Sequence, residues 1–158
     1  MRILNEKASK AKEKKASLGP DINLEEYSSE HTPHGIVDKL EMLSDADKER
    51  MILAGIDANE EGRSGTYVQK DTTAIFSQSK QEGLEVIPIK EALKKFDWVQ
   101  DYYWKLVSVD TDKYTARAQL DLHDGYVIRA LPGSTVIYPV QACLYLEKEG
   151  LSQNVHNL

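Results

Sequence analysis

The most strand-like stretch of this 158-residue chain lies near its C-terminal end, at residues 125–146 (GYVIRALPGSTVIYPVQACLYL). Two apolar runs flank a Pro132-Gly133 turn, and Pro139 interrupts the second run. Val, Ile and Tyr fit a pleated, half-buried surface, whereas Pro is confined to strand ends, edges and bulges. The segment therefore predicts two strands that are separated by a turn.

Composition excludes several classes of function. A net charge of −6 argues against wholesale binding of nucleic acid. No apolar run approaches the roughly 20 residues that span a bilayer, and the Lys-rich N-terminus lacks the apolar core of a secretory signal. The single cysteine, Cys143, excludes an internal disulfide framework and a metal site built from several cysteines. We expect a cytoplasmic protein that contacts neither nucleic acid nor a membrane.

The first 30 residues predict a Lys-rich arm followed by a linker. Residues 1–16 (MRILNEKASKAKEKKA) are rich in helix-forming Ala, Lys and Glu but hold few large apolar side chains. We therefore expect a frayed, solvated helix that ends at Gly19-Pro20. The alternative is a basic arm that binds an acidic partner or a membrane surface.

Residues 31–122 predict a domain that mixes short helices with a small sheet. Ile36, Leu40 and Leu43 recur at helical spacing and predict one short helix. Ser44 and Asp47 resemble a capping box, which predicts that a second helix begins there.

The middle of this region predicts strands followed by a helix. Residues 66–79 are typical of short strands with modest apolar content, and residues 84–89 alternate as a strand that is closed by Pro88. From residue 90 to 107 (KEALKKFDWVQDYYWKLV), apolar side chains form a helical stripe. A cap at Asp97 would divide this stripe into two helices.

Four aromatic side chains gather in that stripe: Trp98, Tyr102, Tyr103 and Trp104. Large rings usually pack in the core while an indole N–H or phenol O–H finds a polar partner. We therefore expect a packing role for these residues. An aromatic platform for a ligand or a nucleic-acid base is the alternative.

Residues 112–124 carry conflicting signals. Their apolar side chains alternate with polar ones, as in a strand, and Asp124-Gly125 would suit a hairpin turn. Ala, Arg, Gln and Leu nevertheless favour a helix, and Asp112 can cap it. We predict a helix, because the family resemblance described below also favours one.

Few residues are candidates for chemistry. Asp57 begins a partial match to a calcium-binding loop, but the twelfth position is Val68 instead of a bidentate Glu, so we reject calcium. The spacing of His31 and His34 is a weak metal-ligand signal, and His123 is expected to be solvated. No carboxylate pair or Ser–His–Asp group is indicated, and the sequence predicts no catalytic residue, no cofactor-binding residue and no metal ligand.

Cys143 is the one weak thiol candidate. On a strand of period two, Cys143 shares a face with Gln141 and Tyr145, opposite to the aliphatic side chains of Val140 and Ala142. A lone strand cysteine is usually a small buried hydrophobe, and we favour that interpretation. A thiol that handles sulfur or metal is the alternative, and it would require a nearby base and a depressed pKa.

Four segments together resemble the SufB/SufD family, whose members assemble iron–sulfur clusters. They are AGIDANEEGRSGTYVQKD, VIPIKEALKKFDWVQDYYWKLV, DKYTARAQLDLHDGYVIRALPGSTVIYPVQACLYL and NVHNL. The third is the most specific, and the details are most similar to the compact archaeal type of the family. The resemblance covers about residue 54 to residue 158.

The resemblance implies an α+β fold: a helical N-terminal region with a small β-sheet, followed by the first rung or rungs of a right-handed parallel β-helix. On this basis, residues 1–30 would form the arm and linker, 31–122 the N-terminal α+β domain and 123–158 the start of a truncated β-helix. Residues 125–131 and 136–146 would form the first rung. Its outer edge would offer unpaired backbone groups, so we expect self-association or a labile C-terminal third.

The resemblance also implies a scaffold rather than an enzyme. Family members pair through their β-helices and bind the SufC-like ABC ATPase through a C-terminal helical region. The family's sulfur-accepting cysteine and cluster-handling residues match no position of this chain, Cys143 included. We therefore expect that the chain is a piece of a longer or split protein and that it binds no iron–sulfur cluster alone. The main alternative is a stand-alone interaction module with a basic N-terminal arm.

Overall fold

The computed structural model describes residues 1–158 and contains four α-helices and five β-strands. The helices are α1 (Arg2–Ala11), α2 (Asp45–Leu53), α3 (Ile89–Lys95) and α4 (Lys113–Leu120). The strands are β1 (Gly65–Lys70), β2 (Thr73–Ser79), β3 (Leu84–Pro88), β4 (Tyr126–Ala130) and β5 (Val140–Tyr145). The 3-10 turns are Leu24–Glu26, Leu40–Met42 and Asp97–Asp101.

The predicted α+β class is confirmed. The two small sheets do not decide whether a β-helix follows, so that part stays a prediction. None of the helices has the length and apolar character needed to cross a membrane.

Strand β1 lies at the centre of the larger sheet, whose strand order is β2-β1-β5. It pairs antiparallel with β2 across a tight turn at Asp71, whose φ of 49° is left-handed. It pairs parallel with β5, from Gly65 opposite Val140 to Lys70 opposite Tyr145. The smaller sheet pairs β3 with β4 in antiparallel orientation. The strands predicted near residues 66–79 and 84–89 are therefore confirmed.

The conflict at residues 112–124 resolves in favour of a helix. Asp112 caps α4: its carboxylate accepts hydrogen bonds from the backbone N–H of Tyr114 and of Thr115. The Thr115 hydroxyl accepts a bond from the N–H of Asp112, which completes a reciprocal capping box. The hydroxyl of Ser17 also donates to Asp112, so the cap ties α4 to the N-terminal segment.

The helix predicted across Ile36 and Leu43 is wrong. Only the turn Leu40–Met42 forms, and 79% of Ile36 is exposed. The preceding backbone lies along β2, where the N–H of Val37 donates to the carbonyl of Ile75 at 2.9 Å. Hydrogen bonding to a sheet edge satisfies this backbone without a helix, and it outweighs a three-residue helical pattern.

The two other predicted caps have different outcomes. The Ser44 hydroxyl accepts a bond from the N–H of Asp47 at 3.2 Å, so the predicted start of α2 is confirmed. The predicted cap at Asp97 is wrong, because residues 97–101 form a 3-10 turn with no side-chain cap. The stripe still divides into two pieces there, since Phe96 leaves the helical conformation with extended backbone angles.

Helix α1 is not the frayed, solvated helix that we expected. Ala8 and Ala11 are buried in a cluster with Val109 and with Ala116 of α4. Asn5 accepts a hydrogen bond from the side-chain amide of Gln119 at 2.7 Å. The small alanine side chains allow α1 and α4 to approach closely. Helix α1 therefore packs against α4 although it carries few large apolar side chains.

The larger sheet separates two apolar clusters, because successive residues of β1 point to opposite faces. Val68 packs into the first cluster, and Tyr67 packs into the second. The first also contains Leu40, Leu43, Met51, Ile75, Phe76 and Cys143; the second also contains Leu84 and Val86. A third cluster links α3 to β4 and contains Ile89, Ala92, Val99, Tyr103 and Val127. The six residues of β5 thus contribute to the first and second clusters through alternate side chains.

Asp71 joins the β1–β2 turn to the chain that leaves β5. Its buried carboxylate accepts bonds from the N–H of Glu147 at 2.7 Å, from the N–H of Lys148 at 3.4 Å and from Nε2 of His34 at 2.8 Å. Burial alone would raise the pKa of Asp71. The hydrogen bonds from Glu147, His34 and Lys148 outweigh it, and the pKa lies below its ordinary value.

We expect Ala8→Glu to lower the free energy of unfolding by roughly 1–3 kcal/mol, because it places a carboxylate against α4. Ser9→Glu adds the same group to an exposed position of α1, and it should change stability by less than about 0.5 kcal/mol. Urea unfolding of both variants at neutral pH measures the difference. Equal effects of the two substitutions would contradict the packing of α1.

We expect Asp71 to make stability depend on acid pH. Because its folded pKa is lowered, its contribution is present above about pH 4 and is lost as pH falls through the folded pKa. Asp71→Asn should lower stability at pH 7 by roughly 1–3 kcal/mol and should flatten the loss of stability in acid. Asp38→Asn, at an exposed position, is the control. Denaturant unfolding between pH 7 and pH 2.5 tests this, and an unchanged acid slope in Asp71→Asn would refute it.

Candidate functional site

Cys143 lies inside the first apolar cluster, where 5% of the residue is exposed. It stands on the same face of β5 as Gln141 and opposite Val68 of β1. Burial raises the pKa of the Cys143 thiol, which favours the protonated, unreactive form. Burial is the only cause of this shift, and the pKa of the neighbouring Tyr145 is also raised, chiefly by burial. This environment favours the interpretation of Cys143 as a core residue.

His31 and His34 both contact the β1–β2 turn but bind different residues. Nε2 of His34 lies 2.8 Å from a carboxylate oxygen of Asp71. Nδ1 of His31 lies 2.9 Å from the hydroxyl of Thr72. The structure contains no group of three or more His, Cys, Asp or Glu side chains placed to hold a metal ion. The two histidines therefore position the segment that covers β2.

The expectation that His123 is solvated is wrong, since only 6% of the residue is exposed. Nδ1 of its ring accepts a bond from the N–H of Asn154 at 3.1 Å, so Nε2 carries the proton and donates to the carbonyl of Ser29 at 2.8 Å. Burial lowers the pKa of His123, so the ring is neutral at pH 7. Through its two ring hydrogen bonds, His123 links residues 29, 123 and 154, which are distant in sequence.

The aromatic residues have the predicted packing role at two positions. Gln119 of α4 accepts bonds from the Tyr103 hydroxyl at 2.9 Å and from the Trp104 indole at 2.7 Å. Both rings also pack against His156, with ring centres 4.4 and 4.5 Å away. Burial lowers the pKa of His156 to about 4. By contrast, Tyr102 is 61% exposed, and its ring lies at the surface near Trp98.

Residues 154–158 run parallel to residues 123–128 and add a short third segment to the smaller sheet. The N–H of His156 donates to the carbonyl of Asp124, and the N–H of Leu158 donates to the carbonyl of Tyr126. In return, the N–H of Ile128 donates to the carbonyl of Leu158 at 2.8 Å. The β1–β5 pair and the bridge between Ser28 and Leu151 are parallel as well. Parallel pairing is compatible with the predicted β-helix, which stays a prediction.

Gly125 permits this close approach. Its φ of 133° lies in the region that other residues rarely adopt. A Cβ atom at this position would lie 2.1 Å from the carbonyl oxygen of His156. Any side chain at residue 125 would therefore displace the segment that pairs with Asp124 and Tyr126.

An ion-pair network fixes α2 beside the ends of β1 and β5. The ammonium of Lys70 lies 2.8 Å from Asp47 and 2.8 Å from Glu147. Arg50 lies 2.6 Å from Glu147, and the hydroxyl of Tyr145 donates to Asp47 at 3.1 Å. The network closes the same end of the sheet that Asp71 binds. The charged groups of this network are paired with one another, so none of them is left unpaired for chemistry.

The lysines of α1 remain outside the packing. Ala8 and Ala11 face α4, whereas Lys7 and Lys10 are exposed. Lys12 and Lys15, just after the helix, are also exposed. These exposed lysines therefore lie on a docked helix and in the segment just after it, instead of on a free arm.

We expect the Cys143 thiol of the native protein to react with a maleimide at least about a hundredfold more slowly than a peptide cysteine, because reaction requires local opening. Cys143→Ala should lower stability by roughly 1 kcal/mol, and Cys143→Ser by more, since it buries a hydroxyl. Ser9→Cys in the Cys143→Ala protein is the exposed control and should react at the peptide rate. Rapid labelling of native Cys143 would instead favour a sulfur-handling thiol.

No family model matches the chain, but the relatives described next all carry the same family name. SufBD family proteins of iron–sulfur cluster assembly from two strains of Methanothermobacter thermautotrophicus are 38% identical over 157 aligned residues, which cover 96% of this chain. A protein of the same family from Archaeoglobus fulgidus is 47% identical over 112 residues, which cover 71% of this chain.

The chain spans 38% of the length of the Methanothermobacter proteins, and the alignment with the Archaeoglobus protein spans 30% of that protein. The similarity includes most of the segments that resembled this family in the sequence, and it extends across nearly the whole of the chain. Over the part that it spans, the chain belongs to the SufBD family of iron–sulfur cluster assembly proteins.

Proposed function

We propose that this chain is part of a SufB/SufD-type scaffold for iron–sulfur cluster assembly and that it acts through protein partners in the cytoplasm. The observation that carries the proposal is the alignment of 96% of the chain with relatives named for iron–sulfur cluster assembly. The relatives' names concern whole proteins, of which this chain spans 38%. The role proposed here is therefore a contribution to a larger assembly.

The hydrogen bonds that these polar side chains make support a structural role and not a catalytic one. Asp71, His34 and His123 bind backbone or neighbouring side chains, and their hydrogen bonds join distant segments of the chain. The thiol of Cys143 is buried in a setting that favours its protonated form. We propose that the chain is not an enzyme and carries no resident cluster of its own.

The partners that we propose are a second SufB/SufD-type subunit and a SufC-like ABC ATPase, as the family resemblance implies. Iron and sulfide are then the cargo of the complete complex, and this chain supplies one folded part of that complex. The parallel pairing of β1 with β5 and of residues 123–128 with 154–158 supports a base on which further parallel strands could be stacked.

The test is deletion of the gene in its source organism, followed by measurement of an iron–sulfur dehydratase activity relative to an enzyme without a cluster. We expect the cluster-dependent activity to fall and the control activity to stay unchanged. The gene for this chain should restore it, and Cys143→Ala should restore it equally well. An unchanged dehydratase activity in the deletion strain would refute the proposal.

Two further measurements separate the partner roles from the alternative. Affinity capture of the tagged chain, co-expressed with the second subunit and the ATPase, should retain at least one of them. The double variant Lys7→Glu/Lys10→Glu should leave that capture intact. Capture that fails in moderate salt and in this variant would instead favour a basic interaction module.

Anaerobic reconstitution of the purified chain with iron and sulfide should yield no chelator-resistant chromophore.

A further inference from the structure

We propose that Ser17 is a phosphorylation site and that a phosphate on it releases the N-terminal strap from α4. The strap consists of residues 12–23, which follow α1 and cross the start of α4. The phosphoryl donor is ATP, used by a protein kinase that recognises basic residues. This proposal does not depend on the proposed function.

A single buried carboxylate holds both the strap and the start of α4. Asp112 is 5% exposed, and its Oδ1 accepts bonds from the N–H groups of Tyr114 and Thr115. Its Oδ2 accepts bonds from the Ser17 hydroxyl at 2.8 Å and from the Ser17 N–H at 3.1 Å. The carboxylate therefore cannot turn away from Ser17 without leaving the helix uncapped.

The strap has almost no apolar support. Residues 17–23 are all exposed, and Leu18 is 87% exposed. Ala16, just before them, is only half-buried. A segment with so little buried apolar surface opens locally while the rest of the protein stays folded.

Polar groups of α4 supply the other contacts of the strap. The Tyr114 hydroxyl donates to the carbonyl of Pro20 at 2.5 Å and accepts a bond from the N–H of Ile22 at 3.1 Å. The ammonium of Lys113 lies 2.6 Å from the carboxylate of Asp21. Exposed hydrogen bonds and ion pairs each contribute little to stability, so the bonds to Asp112 matter for the whole strap.

The sequence around Ser17 carries a charge pattern that a kinase can recognise. Lys14 and Lys15 stand three and two positions before it, and the exposed Leu18 follows it. No other Ser or Thr of the chain has basic residues at both of those positions. Kinases select their substrates partly by such charge patterns. The pattern and the exposure of the strap together single out Ser17.

The modification is a phosphoryl transfer from ATP to a hydroxyl. The Ser17 oxygen forms a bond to the γ-phosphorus, the bond from that phosphorus to the β–γ bridging oxygen breaks, and ADP leaves. The hydroxyl proton passes to the catalytic Asp of the kinase. The bond from Ser17 to Asp112 must open first, which local opening of the strap allows.

A phosphate on Ser17 turns an attraction into a repulsion. Burial would raise the pKa of Asp112, but hydrogen bonds, first among them that from the Ser17 N–H, hold it below its ordinary value. Asp112 is therefore charged at pH 7. Phosphoserine carries about −1.5 to −2 charges at this pH and has no hydroxyl proton to donate to a carboxylate. The two like-charged groups repel each other, and the strap leaves Asp112.

The neighbouring ammonium groups already have partners. Lys113 binds Asp21, and Lys14 donates to the carbonyl of Asp110 at 3.0 Å. Lys15 is exposed and belongs to the strap itself. A phosphate that drew Lys113 or Lys14 to itself would break a contact that holds the strap, so this route also leads to release.

Release leaves α1 attached to α4 through its own contacts alone. These are the packing of Ala8 and Ala11 and the bond between Asn5 and Gln119. The lysines of residues 12–15 then lie on a mobile segment instead of a docked one. Phosphorylation of Ser17 thus controls whether this basic segment is held against the domain.

The first experiment asks whether the site is modified in cells. The protein is purified from its source organism in the presence of phosphatase inhibitors, and its tryptic peptide 16–39 is fragmented by mass spectrometry. We expect phosphate on Ser17 and none on Ser28 or Ser29, which lie in the same peptide. Absence of phosphate on Ser17 in both growing and stationary cells would overturn the proposal.

The second experiment measures the effect of the phosphate. Phosphoserine is incorporated genetically at position 17 of the 158-residue protein, and hydrogen exchange is compared with that of the unmodified protein. The amides of Ala16, Ser17 and Ile22, which bind Asp21, Asp112 and Tyr114, should exchange at least about tenfold faster. The amides of residues 116–120 within α4 should be unchanged.

Two controls separate repulsion from other effects. Phosphoserine at position 9 adds the same charge to an exposed position of α1 and should leave the strap amides unchanged. Ser17→Ala removes the hydroxyl but keeps the N–H bond to Asp112, so it should speed exchange of the strap by less than about threefold.

Two results of these exchange measurements would overturn the proposal. The first is strap exchange that is unchanged or slower with phosphoserine at position 17, because the phosphate would then be accommodated in place. The second is equal acceleration by phosphoserine at position 9, because the effect would then not depend on Asp112.

Discussion

The parallel pairing of β1 with β5 is the interaction on which the rest of this structure depends. It joins residues 65–70 to residues 140–145 and thereby closes a loop that contains about half of the chain. Each apolar cluster of the larger sheet includes side chains from both strands, Val68 with Cys143 on one face and Tyr67 with Ala142 on the other. Asp71 and the Lys70 ion pairs hold one end of this pairing closed. Without β5, both faces of β1 would lose part of their cover.

The sequence predicted the elements that depend on local chemistry. The caps at Ser44 and Asp112 are confirmed because a side-chain oxygen needs only the N–H groups of the next turn. The β3 strand is confirmed because alternation over several residues is a strong signal. The predicted helix at Ile36 failed because the alternative, pairing with β2, involves residues some 40 positions away, which local patterns do not contain.

The candidate site was harder to predict than the fold. Cys143 was correctly placed on the face opposite to the aliphatic side chains, but β5 is covered on both faces, so neither face is the solvent side. Asp71 and His123 gave no useful signal, since a polar residue in a turn usually lies at the surface. Only the structure shows that each satisfies buried backbone groups from a distant segment. The docking of α1 was missed because alanine is read as weakly apolar, although its small size is what lets helices approach.

The distance in sequence between β1 and β5 also has a consequence for the newly made chain. A ribosome adds about 5–20 residues each second, so β1 exists for about 4–15 s before its partner 75 positions later is made. The β1–β2 hairpin can form in microseconds, and it must then wait with one edge of β1 open. During that interval the fully buried Tyr67, Val68 and Gln69 of the finished protein lack part of their cover. The nascent hairpin is therefore a stage at which one edge of β1 is open to premature pairing with other chains.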